Sequence, residues 1–226
     1  MIALSGVYAG RIQPLGEAGR RSAIDKQPIE HGVAVDSSGL KGDQQADPNH
    51  HGGAERALLH YCADHYAAWA RELPQAAGRF RPPGFGENLS SHGLDEWQVR
   101  IGDILRIGSV LLQVSQPRSP CWKLNHRFGV EDMARRAQDN ARCGWFYRVL
   151  EPGRLACGDG IELIERSKGP SVAEAIRACY GPEQDEPLLE RLAGLDSLSP
   201  NWRAKAAARL ASGGAASAAQ RLEGGD

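Results

Sequence analysis

The 226 residues contain no apolar run near the roughly 18 residues that would cross a bilayer as a helix, so no membrane role is expected. The opening, MIALSGVYAGRIQ, lacks a basic start followed by an apolar core, and a secretory signal is not expected either. The five cysteines are odd in number and include no CxxC pair, unlike a disulfide framework. They fit a reducing compartment, and the chain reads as cytoplasmic. Nor is there a surplus of positive charge. The 27 Lys and Arg face 28 Asp and Glu, a formal net charge of −1, so no bulk field points to nucleic acid as a partner. His50, His51, His60 and His65 crowd within 16 positions but match neither HExxH nor a Cys/His ladder, which gives zinc little support. What remains is an ordinary globular composition, 41% apolar and 24% charged, enough for one large domain or one domain with a small appendage.

Up to about residue 167 the chain carries short β-like segments separated by glycine. Residues 4–13, 33–35, 104–107 and 110–114 read as strands, the last two joined by Gly108-Ser109, a two-residue hairpin signal. Residues 145–150 and 161–165 read as another pair, joined through Glu151-Pro152-Gly153. Short strands without repeated βα units predict a barrel or sandwich, not a doubly wound sheet. Apolar residues at helical spacing predict a helix over 61–73, stopped by Pro74, and a shorter one over 130–140.

Composition shifts near Lys168-Gly169-Pro170. Ser171-Val172-Ala173-Glu174 has capping-box form and predicts a helix start. Further helices are expected at 187–192 and, opened by Ser199-Pro200, through about residue 210. The last residues are rich in Gly, Ala and Ser and are expected to fray. The chain thus divides into 1–167, mainly β, and a three-helix unit at 168–226. So small a unit should pack on the barrel or on a second copy, as in a homodimer.

Polar and hinge residues concentrate in GLKGDQQADPNHHGGAERALLHY, residues 39–61. Gly42, Gly52 and Gly53 permit backbone shapes that bring N–H groups to an anion, with Lys41, His50, His51 and Arg56 beside them. The plainer alternative is a surface loop with tight turns. In FGENLS, Glu87 stands between Gly86 and Asn88 and is either a proton-handling carboxylate or a solvated turn residue. In SQPRSPCWKLN, residues 115–125, two prolines stiffen a loop at a strand's end, where Arg118 and Lys123 favour the thiolate of Cys121. Cys62, placed in the first helix, and Cys143, Cys157 and Cys179 read as small structural hydrophobes. Together these residues suit an anionic, phosphate-bearing ligand with a soft centre near sulfur.

The segments GLKGDQQAD, HHGGAERALLHY, FGENLS, IGDILRIG and SQPRSPCWKLN, in this order, resemble their counterparts in MOSC-domain proteins, most closely the bacterial YiiM group. The resemblance covers nearly the whole chain, since that group also carries a C-terminal three-helix domain. It implies a MOSC-type β-barrel plus a small α-helical domain, and a molybdenum cofactor, a pterin dithiolene with a terminal phosphate. It also implies that Cys121 ligates molybdenum and that the chain reduces N-hydroxylated compounds such as 6-hydroxylaminopurine. Lys41, Gly52, Gly53, Arg56, Asn88, Arg118 and Lys123 become candidates for holding the cofactor. His51 and Glu87 become candidates for delivering protons. No flavin, haem or Fe–S signature is present, so electrons would come from an external donor protein. MOSC domains have also been linked to sulfur transfer and to pyridoxal phosphate. A cofactor or sulfur carrier using Cys121, or a metal-free thiol enzyme with His51 as base, therefore stays open.

Overall fold

A computed structural model describes residues 2–15, 20–46, 52–213 and 218–223. Eight strands form its main sheet: β1 (Leu4–Gly10), β2 (Lys26–Pro28), β3 (Leu58–Cys62), β4 (Leu89–Ser91), β5 (Ile104–Ile107), β6 (Val110–Pro117), β7 (Trp145–Glu151) and β8 (Ile161–Glu165). Their order is β8-β5-β6-β7-β3-β4-β1-β2. All neighbours are antiparallel except β3 and β4, which run parallel. A small sheet of residues 153–155, 33–36 and 39–40 lies beside it.

Among the described residues this order is open, and the sheet does not close into the expected MOSC-type β-barrel. The start of β1 does reach the start of β8: Ile161 N–H bonds to the Ile2 carbonyl at 2.8 Å and Leu4 N–H to the Asp159 carbonyl at 2.9 Å. The contact holds one bridge pair, Ala3 with Gly160, because the preceding residues form a turn and β8 then pairs with β5. The β5–β6 hairpin forms as the alternation dictates. Val110, Leu112 and Val114 are buried while Leu111 and Gln113 are half-buried, and Gly108 takes the turn at φ 57°. The other expected pair does not form. β7 lies between β6 and β3, and β8 joins β5 instead.

Helices are α1 (Asp64–Glu72), α2 (Lys123–Phe128), α3 (Met133–Asp139), α4 (Val172–Tyr180), α5 (Glu186–Ala193), α6 (Pro200–Ser212) and α7 (Ala219–Glu223). Tyr61 and Cys62, expected in the first helix, end strand β3. That strand is interior and every residue of it is buried, so its apolar run lacks the alternation that marks a half-exposed strand. The 130–140 helix is shorter than expected, spanning Met133–Asp139, and α2, which begins two residues after Cys121, is a helix that the sequence does not predict. Among the described residues no helix is long and apolar enough to cross a membrane.

Two apolar clusters organise the interior. One joins the sheet to α4–α6, so that Leu112 and Val114 of β6 share a core with Ile176, Leu189 and Trp202. The other is aromatic and combines Tyr61, Tyr66, Trp69, Phe80, Phe85 and Phe128 with Leu222 of α7. The tail expected to fray is thus packed at Leu222, which is 2% exposed.

Candidate functional site

The ends of β6 and β4 and the segment around β2 converge on a cavity of roughly 660 Å³, counting its open mouth. Its polar lining includes Cys121, Arg118, Lys123, Arg56, Lys26, Asp43 and Asn88, and its apolar walls include Ile24, Leu59, Phe85 and Phe146. A flat molecule would find apolar faces and a cationic edge here.

Arg118 follows β6 directly, with its N–H bonded to the Gly144 carbonyl at 3.0 Å. Its side chain is 7% exposed. Nη2 reaches the Phe85 carbonyl at 3.4 Å, whereas the buried Nη1 has no hydrogen-bond partner among the described residues. Leaving a buried guanidinium N–H unmatched is costly, and a ligand acceptor that reached this nitrogen would relieve that cost. Cys121 is half-buried on the same cavity, and its carbonyl accepts the Leu124 N–H that opens α2.

Opposite lies a buried ion pair. Lys26 Nζ donates to Asp43 Oδ1 at 2.5 Å and Oδ2 at 2.6 Å, both side chains being 7% exposed. Asp43 also accepts the Gly10 N–H at 2.7 Å and Asn88 Nδ2 at 2.8 Å. Burial lowers the Lys26 pKa, and the Asp43 carboxylate opposes that shift. Asn88 joins the elements of the site, since its Oδ1 accepts the Leu59 N–H and its Nδ2 also donates to the Tyr8 carbonyl. Gly86, at the cavity wall, has φ 75°, and a Cβ there would meet Ile24 Cγ1 at 2.7 Å. Only glycine suits that position.

Of the residues singled out in the sequence, Cys121, Arg118, Lys123, Arg56 and Asn88 meet on this cavity. Lys41 is exposed and lies off it, as do Gly52 and Gly53. His51, like His50, lies outside the described residues. Glu87 is neither solvated nor on the cavity. It lies beneath, fully buried, accepting from Tyr66 Oη at 2.7 Å and from the Phe85 N–H at 3.1 Å. Burial pushes its carboxyl up to about 7, against those bonds and the nearby Arg118 charge. Its geometry props up the Phe85-Gly86 wall and gives its proton no direct access to the cavity.

Lys26 and Asp43 were missed. Asp43 stands inside GLKGDQQAD, whose glycines and cations carry the anion signal, while Lys26 belongs to no motif and meets Asp43 only through the fold. Among the described residues no three His, Cys, Asp or Glu side chains converge. A lone cavity thiol suits a metal that brings most of its own donors. Burial raises the thiols of Cys62 in β3, to about 12, of Cys179 in α4, to about 11, and of Cys143, in the loop before β7, upward as well.

Residues 47–162 match the MOSC domain, and residues 170–213 match the YiiM-like, 3-alpha helix domain. The chain is 42% identical to Protein YiiM of Escherichia coli (strain K12) over 218 residues, covering 96% of this chain and 97% of that protein. It is 41% identical over 162 residues to a protein of Gibberella moniliformis named Reductase, covering 71% of this chain but 29% of that longer protein. The crystal structure of YiiM from Escherichia coli superposes with a TM-score of 0.83 at 36% identity, covering 98% of each chain.

Proposed function

Since the chain belongs to the MOSC-domain family and carries the YiiM-type three-helix unit, we propose that its cavity holds a molybdenum cofactor and reduces N-hydroxylated compounds, 6-hydroxylaminopurine among them. The observation that carries this reading is the presence, on one cavity, of both Cys121 and Arg118, a buried arginine whose Nη1 has no hydrogen-bond partner among the described residues. A soft sulfur suits molybdenum, and a guanidinium suits phosphate or a pterin edge. When bound, the cofactor supplies a centre that exchanges two electrons.

The chain's own residues supply the rest. Cys121 would be the protein ligand through Sγ. Arg118, Lys123 and Arg56 would take the phosphate and the polar edge, and Ile24, Leu59, Phe85 and Phe146 the flat faces. The reaction is balanced as N–OH plus two electrons and two protons giving N–H and water, the electrons arriving from an external donor protein. Lys26 holds a proton at Nζ on the cavity wall. Two of its N–H bonds point at Asp43, an ammonium has a third, and burial eases its loss. Lys26 is thus a further candidate for proton delivery beside His51 and Glu87, the candidates that the sequence offers.

Metal and pterin analysis of the protein purified from cells that make the cofactor tests the reading, together with turnover of 6-hydroxylaminopurine driven by a chemical reductant. Stoichiometric molybdenum and turnover are expected, both lost in a folded Cys121→Ser, because serine offers a hard oxygen. Protein without molybdenum, or equal turnover in the serine variant, rejects it. A persulfide on Cys121 without turnover would identify a sulfur carrier instead.

A further inference from the structure

The backbone on both sides of Cys121 is held by one residue from the far end of the chain. Arg221 of α7 donates through Nη1 to the Pro120 carbonyl and through Nη2 to Gln138 Oε1 at 2.6 Å. Its own carbonyl accepts the Trp122 N–H at 2.9 Å. The next carbonyl, of Leu222, accepts Asn125 Nδ2 at 2.8 Å, while the Leu222 side chain is buried in the aromatic cluster. Ser119 is held from the same side: its Oγ lies 2.9 Å from Tyr180 Oη, and the Arg221 guanidinium stacks over the Tyr180 ring at 4.7 Å. Residues 119, 120 and 122 therefore each have a bond to the C-terminal part, and Cys121 stands among them.

Local chemistry cannot supply this restraint. Pro120 has no N–H to donate, and Trp122, before the first turn of α2, has no intrahelical acceptor for its own. A loop lacking those bonds would sample other directions for its thiol. We propose that Arg221 is a positioning residue for Cys121, with α7 a strap that fixes the direction of the Sγ into the cavity. The inference rests on the reading of Cys121 as the working thiol. Its test uses the reactivity of that thiol in the full chain without added cofactor, so it can fail while the reductase reading stands.

Alkylation by iodoacetamide, followed residue by residue by mass spectrometry, is measured in a Cys157→Ser background, since Cys157 is the other accessible thiol. Arg221→Ala should raise the rate at Cys121 by roughly tenfold or more, as two charge-assisted bonds are lost and the loop opens locally. The rates at buried Cys143 and Cys179 should stay at the parent level, where mere loss of global stability would raise all three. Arg221→Lys keeps a donor for the Pro120 carbonyl and should restore most of the slow rate. Glu223→Ala, which removes an exposed pair with Arg135, should leave it unchanged. A Cys121 rate in Arg221→Ala within about twofold of the parent overturns the proposal, as does equal acceleration in the Lys or Glu223 variants. Should Arg221→Ala not fold, hydrogen exchange on the parent decides: a protected Trp122 amide supports the strap, and a freely exchanging one rejects it.

Discussion

The helices of the two apolar clusters begin in different ways. Those of the C-terminal part carry their own start signals. Ser171 Oγ accepts the Glu174 N–H, Asp185 Oδ1 the Leu188 N–H and Ser199 Oγ the Trp202 N–H, one N-cap bond for each of α4, α5 and α6. Three helices of the aromatic cluster, α1, α2 and α3, have no N-cap side-chain bond. Their ends and faces are satisfied from elsewhere: the Ala134 N–H of α3 bonds to Asn125 Oδ1 at 2.7 Å, Trp69 Nε1 of α1 to Tyr61 Oη at 2.8 Å, and Tyr66 Oη to Glu87. One set is specified locally and then docked. The other exists because the aromatic cluster holds it, and that cluster also supports the cavity wall.

The comparison breaks hardest at Trp69. It is 1% exposed, donates to Tyr61 and carries Arg142 over its ring at 4.8 Å. Trp69→Ala should cost about 3–5 kcal/mol, measured by urea unfolding. Hydrogen exchange should show the loss of protection concentrated in α1, with α4–α6 amides closer to the parent. Equal loss in both sets would mean that the two clusters open as one unit and that the distinction is only descriptive.

The same difference explains what the sequence disclosed. The C-terminal helices were legible within a few residues because Ser171, Glu174 and Pro200 are local signals. The β5–β6 hairpin was legible for the same reason, through Gly108 and strict alternation. Strand β3 was not, since a strand buried on both faces loses its period and Tyr61 fell into register with His65 as if on a helix. At the site, Cys121, Arg118, Lys123, Arg56 and Asn88 were found by residue type within motifs. Lys26 was invisible, because its meaning depends on Asp43, which only the fold brings to it. The depth of Glu87 and the docking of Leu222 are likewise tertiary facts, and the tail's small residues suggested the opposite.

Glu87 sharpens the comparison through pH. Its folded-state pKa is raised to about 7 by burial, from an ordinary value of 4.5. Between those values the unfolded chain gives up its proton while the folded chain keeps it, so this residue's contribution is full below pH 4.5 and is lost as pH rises through 7. The swing is about 3 kcal/mol at most. Glu87→Gln cannot ionise, and the Phe85 N–H retains the Tyr66 oxygen as an acceptor at 3.1 Å. Relative to the parent, the glutamine variant should therefore be more stable at pH 8 than at pH 4.5 by up to about 3 kcal/mol. His60, whose pKa burial lowers to about 3, is common to both proteins and cancels from the difference. Parallel pH profiles of urea stability in the two proteins would show that Glu87 titrates as an exposed carboxylate, contrary to its burial.

The smallest effect is at the caps themselves. Ser171 and Glu174 form a reciprocal box, Ser171 Oγ accepting the Glu174 N–H at 3.1 Å and Glu174 Oε2 accepting the Ser171 N–H at 2.6 Å. Ser171→Ala removes one half of that box and should cost about 1 kcal/mol by urea unfolding, with the N-terminal amides of α4 losing protection first. Asp132 occupies the corresponding position of α3 but makes no cap bond, only an exposed pair with Arg136 at 2.7 Å. Asp132→Ala should then cost no more than about 0.5 kcal/mol. Because Asn125 supplies the acceptor for α3, Asn125→Ala should cost more than Asp132→Ala although it lies outside that helix. The reverse order would show that α3 is specified by its own sequence after all.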